Sequence, residues 1–163
     1  MNKDNYKLAI YVSLVFYILC LCFPAFYVSE TREPNYALTM LAIGWLGPLD
    51  GHFSWYANIF YMLALIFFKR EGSVPLLILS IMLAFSFLLK SKILRDEGGG
   101  TSDITAYGVG YFLWIASIVM LCLARVLYAS PHSMKNTIIS ISVIFSFFLA
   151  LFIYYFIFSD KSQ

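Results

Sequence analysis

The chain has 163 residues, 61% of them hydrophobic and only 12% charged, with a net charge of +2. A soluble domain carries about 25% charged residues, and so small a chain exposes much of its surface; a wholly water-facing exterior is therefore disfavoured, and a lipid bilayer is the expected surrounding. The weak net charge and the lack of any Lys/Arg run also argue against tracking of a phosphate backbone, so no nucleic-acid partner is expected.

Long apolar runs separated by short charged clusters predict an all-α integral membrane protein. The expected form is a single transmembrane domain, a bundle of five helices with four as the alternative. About 20 apolar residues are needed to cross a hydrocarbon core. The first span is 8–28, with Pro24 expected to kink its far end. Lys3 and Lys7 precede it as in a secretory signal. The run is longer than a signal core, however, and no small-x-small site closes it, so a retained helix is expected.

A polar turn over 29–36 leads to the apolar segment 37–49, which is too short to cross. It is expected either to lie in the interface, anchored by Tyr36 and Trp45, or to re-enter under a cover of protein. The second and third spans, 51–70 and 74–94, form a predicted helical hairpin about the turn Lys69–Ser73. Asp50 and Ser73 are the candidate caps, and Pro75 lies in the first turn of the third span. The stretch 95–103, with three successive glycines, reads as a solvated flexible connector. Ser102 or Asp103 is expected to cap the fourth span, 104–127. A turn broken by Pro131 precedes the fifth span, 137–158. Five spans with a cytoplasmic amino terminus place six Lys/Arg inside and five outside, which sets the expected orientation.

An ionisable group at the middle of a span costs about 2.5–3.5 kcal/mol and usually marks function. No predicted span carries Asp, Glu, Lys, Arg or His at its middle. That pattern argues against a proton-coupled transporter, a voltage sensor or an intramembrane metalloprotease, and no catalytic residue, cofactor or metal is expected. Asn58 is the strongly polar side chain well inside a span, read as an interhelical hydrogen bond or a polar contact. Asp50 and His52 put a carboxylate and an imidazole at the mouth of the second span, a weak metal or proton-exchange signal. Small residues recur at four-residue spacing: Ala9 and Ser13, Ser80 and Ala84, and Ser142, Ser146 and Ala150. Such faces let helices approach closely, and the last is the candidate face for a partner.

The stretches Gly44-Trp-Leu-Gly47, Trp55-Tyr-Ala-Asn58 and Gly108-Val-Gly-Tyr-Phe-Leu-Trp114 resemble small uncharacterised polytopic proteins of the bacterial inner membrane. The resemblance implies that location and no catalytic activity. By size, span number and the lack of a reactive site the chain is also similar to immunity proteins that protect bacteria against pore-forming toxins. The expected function is non-enzymatic: binding of a membrane partner, as an immunity-type or accessory subunit or through a second copy of itself. A small transporter or channel subunit using Asp50, His52 and Asn58 is the alternative.

Overall fold

The computed structural model describes residues 5–29, 34–94 and 99–129. The chain divides into two compact units, Met1–Leu127 and Tyr128–Gln163. Of the second, only the first two residues are described, so the predicted span 137–158 lies outside the described residues.

The architecture of the first unit is mixed α/β rather than all-α. Helix α1 covers Asn5–Cys20 and is followed by strands β1 (Pro24–Val28) and β2 (Pro34–Tyr36). Helix α2 (Ala37–Ile43) then tightens into a 3₁₀ segment, Gly44–Asp50. A single 3₁₀ turn, Ser54–Tyr56, opens α3 (Ala57–Ile66), and α4 (Ser73–Ser86) ends in another, Phe87–Leu89. Strands β3 (Lys92–Leu94) and β4 (Thr101–Tyr107) lead into α5 (Val109–Tyr128). The four strands form one antiparallel sheet in the order β2-β1-β4-β3.

The five-helix prediction fails where chain expected at the ends of spans folds as sheet instead. Pro24 does not kink α1; it opens β1, because proline offers no amide for helix continuation and its ring fits the first residue of a strand. Phe26, Tyr27 and Val28 then pair with β4, as aromatic and β-branched side chains favour. The end of the connector over 95–103 is strand: Thr101, Ser102 and Asp103 pair with Leu94, Ile93 and Lys92 of the preceding strand. Ser102 and Asp103 therefore sit in β4 and cap no helix. Among the described residues only α5 is long and apolar enough to cross a membrane by length and composition; the other apolar helices run from 10 to 17 residues.

Inside the unit, α1 turns Ala9, Ser13 and Tyr17 into the core at four-residue spacing, while Leu8, Tyr11, Val15 and Ile18 stay exposed. Ala57, Tyr61 and Ala64 of α3, Leu77 and Ala84 of α4 and Ile118, Leu121 and Ala124 of α5 complete that core. The small-residue pairs Ala9/Ser13 and Ser80/Ala84 are thus spent on packing within the chain. The exposed ion pair Lys92–Asp103, at 4.0 Å, contributes little.

Arg125, in the last turn of α5, is 3% exposed and donates from Nε to Ser73 Oγ at 3.0 Å. The expected cap at Ser73 is absent. The residue is the first of α4, and its hydroxyl donates back to the Phe68 carbonyl at 3.3 Å. Ser73→Ala removes an acceptor from a buried cation, a change worth about 1.5–3 kcal/mol. The expected result is a lower thermal midpoint for purified protein, with Ser73→Thr close to the parent; an unchanged midpoint in Ser73→Ala would refute the role.

Candidate functional site

Three helices each carry polar side chains three or four residues apart, the spacing that puts them one above the other on one face. These are Ser13 and Tyr17 on α1, Asn58 and Tyr61 on α3, and Trp114 and Ser117 on α5. They meet in two storeys. In the lower one Ser13 donates to the Ser117 carbonyl at 2.6 Å, which uses its only hydrogen. The Tyr61 hydroxyl, 2.8 Å away, is then the donor to Ser13 Oγ. In the upper storey Tyr17 Oη and Trp114 Nε1 both donate to Asn58 Oδ1, at 3.1 and 2.8 Å. An indole nitrogen only donates, so the amide oxygen must face it. Asn58 Nδ2 donates to the Trp55 carbonyl at 2.9 Å, and Trp55 Nε1 to the Leu41 carbonyl at 2.9 Å. The stacked rings of Tyr17 and Tyr61, 5.0 Å between centroids, join the storeys.

Beside the upper storey lies a pocket of about 140 Å³. The end of α1 and the residue after it supply Tyr17, Cys20 and Leu21, and β1 supplies Ala25 and Phe26. Met40, Leu41 and Gly44 come from α2 and the segment after it, and Gly110, Tyr111 and Trp114 from the start of α5. His52, Trp55, Asn58 and Phe87 close the remaining sides. Among the described residues no Asp, Glu, Lys or Arg lines it. Gly110 lets α5 start against the turn that leaves α1: a Cβ there would stand 2.6 Å from the Phe23 carbonyl oxygen and 2.9 Å from that of Cys20. Tyr111 donates to the Ala84 carbonyl at 2.9 Å. The Tyr107 hydroxyl reaches the carbonyls of Phe87 and Lys90, and burial raises that phenol's pKa.

Two of the sequence candidates, His52 and Asn58, come to this one pocket. The ring of the buried His52 is 5.7 Å from that of Phe87, and its backbone amide donates to the Gly47 carbonyl. Asp50 ends the 3₁₀ segment, but its side chain lies outside the described atoms, as do Ser142, Ser146 and Ala150. Sequence reasoning missed Tyr17, Trp55 and Trp114, which hold Asn58 in place. The available signal was the matched pairs of polar side chains at helical spacing on three separate runs. Among the described residues no three His, Cys, Asp or Glu gather as metal ligands. The chain matches no protein-family model, no curated protein and no solved structure.

Proposed function

We propose that this chain is a non-enzymatic protein of the bacterial inner membrane that works by binding a membrane partner, and that the pocket beside Asn58 is its point of attachment. The observation that carries the reading is an inverted distribution of polarity. Ser13, Ser80 and Ser117 are fully buried, whereas Leu8, Tyr11, Val15 and Ile18 are 51–66% exposed along one face of α1. Val109, Phe112, Val119 and Leu123 are exposed in the same way on α5. Contiguous exposed apolar faces mark membrane or protein contact, and buried hydroxyls hydrogen-bonded between helices are the ties expected where lipid covers the outside. Ser73–Leu89, at 17 residues, reaches the lower limit for crossing a bilayer, and Tyr6–Cys20 and Ser54–Ile66 are shorter, a mismatch met by local thinning.

The pocket supports binding rather than turnover. Its polar atoms at Asn58, Trp55, Trp114 and Tyr17 are engaged with one another, so the wall presents mainly apolar and aromatic surface. The test has two arms. Alkaline carbonate should leave the full chain in the membrane pellet. A photoreactive residue at Met40, which lines the pocket, should capture a membrane component that one at the exposed Thr39 does not. Release of the chain by carbonate, or equal capture at both positions, would overturn the reading.

A further inference from the structure

We infer that the pocket is the seat of one hydrocarbon chain of a membrane lipid. The inference rests on the membrane reading above and narrows the partner to a chemical class. Size is the first argument: an apolar cavity of roughly 150 Å³ stays dry and accepts benzene, so about 140 Å³ holds a stretch of about six carbons. Charge is the second: among the described residues the lining holds no Asp, Glu, Lys or Arg, with His52 its one titratable base, and so complements an uncharged guest. The hydrogen-bond inventory is the third. The acceptor at Asn58 already takes two donors, and the Trp55, Trp114 and Tyr111 donors are committed, so these groups meet a guest by apolar contact; His52 and Ser54 also lie on the wall.

Continuity with the lipid-covered surface decides between a lipid and an apolar side chain of another protein. Met40 and Leu41 line the pocket, while Leu38 and Ile43 on the same short helix are 58% and 49% exposed. An exposed apolar surface thus lies on the same helix that walls the pocket, and the bilayer supplies hydrocarbon chains without recruiting a protein. A phenyl group inserted by a partner protein is the competing occupant.

Two of the three tryptophans, Trp55 and Trp114, are wall residues, which gives a direct readout. The experiment uses full-length protein in a sterol-based detergent that has no alkyl chain, with Trp45→Phe removing the exposed indole. Phosphatidylcholine brominated on its acyl chain is titrated in, with unbrominated lipid as the control. Saturable quenching at one lipid per chain is expected. Ala37 also lines the pocket, and Ala37→Phe, which fills it, should weaken the quenching at least tenfold, whereas Leu8→Phe on the exposed face of α1 should leave it unchanged. Met40→Trp, read by counting retained lipid with native mass spectrometry, keeps the test standing if Ala37→Phe does not fold. Quenching that does not saturate or that survives Ala37→Phe, or lipid retained undiminished by Met40→Trp, overturns the inference. So does exclusive capture of a protein by the Met40 photoprobe. Failure of the membrane reading looks different, since the chain would then be released by carbonate.

Discussion

Replacing Asn58 by leucine is expected to lower the stability of the folded chain by about 2–4 kcal/mol, and Tyr17→Phe by less than about 1. The asymmetry follows from which atoms lose their partners. Asn58 Oδ1 is the shared acceptor for Tyr17 and Trp114. Without it, two part-buried donors on the pocket wall lose their acceptor, each costing about 1–3 kcal/mol. The indole cannot compensate by accepting from elsewhere, because it only donates. Removing the Tyr17 hydroxyl leaves the amide oxygen still occupied by Trp114, so little is stranded. A bond between helices in lipid averages only about 0.6 kcal/mol, which sets the scale for Tyr17→Phe and pulls Asn58→Leu toward the lower end of its range.

Thermal unfolding of purified protein, followed by far-ultraviolet dichroism, measures both variants. The double variant should cost less than the two single changes added together, since Tyr17 loses nothing further once its acceptor is gone. Asn58→Leu no more destabilising than Tyr17→Phe would sink the account. The same variant separates this reading from a carrier. A polar residue lining a conduction path would lose ion flux in liposomes while keeping its stability, whereas a residue that ties three elements together loses stability first.

The helical cores were legible because apolar runs are a length signal, and α1, α3, α4 and α5 all lie within predicted spans apart from their terminal residues. The ends were not. Hydropathy does not distinguish Pro24-Ala-Phe-Tyr-Val28 as the last turns of a helix from the same residues as a strand, and the partner that decides lies about 80 positions away in β4. Nearer clues existed. The residues Thr101, Ile104, Thr105 and Tyr107 are β-branched or aromatic, the kinds that favour a strand. The glycines ahead of it are the kind of residue that joins a hairpin. Those clues are outweighed when every apolar stretch counts as a crossing candidate.

Asn58 was legible as a buried polar group in need of partners, and His52 as a group near it. The pocket itself was not, since its walls come from two helix ends, a strand, the segment over 37–50 and the start of α5. The interfacial alternative for 37–49 described a segment standing alone, whereas the re-entrant one asked for a cover of protein. In the fold it packs against its own chain, with Leu41 accepting the Trp55 indole and Gly44 lying so close to that ring that a Cβ would stand 2.5 Å from its nearest carbon.

Gly110→Ala is expected to destabilise the protein by about 1–2 kcal/mol, and Gly110→Val by about 3, against the ordinary direction for a helical glycine. Alanine within a helix normally gains about 1 kcal/mol over glycine. Here the new methyl would stand 2.6 Å from the Phe23 carbonyl oxygen, 2.8 Å from that of Pro24 and 2.9 Å from that of Cys20. All three are backbone atoms of the turn that carries α1 into β1, and they cannot rotate away as a side chain could. Relief requires α5 to move off, which also strains the seam where the Gly108 amide donates to the Ala25 carbonyl at 2.8 Å. Gly72→Ala is the control. Nothing lies within 4 Å of a Cβ there and φ is −60°, so that change should be neutral or slightly stabilising. Thermal midpoints that move in opposite directions for the two alanine variants would tie the effect to packing at the head of α5, and equal shifts would refute it. Because Gly110, Tyr111 and Trp114 all belong to the pocket wall, a displaced α5 should also blunt the quenching of Trp114 by a brominated chain. The contact that lets α5 begin so close to α1 is then also the contact that gives the pocket its shape.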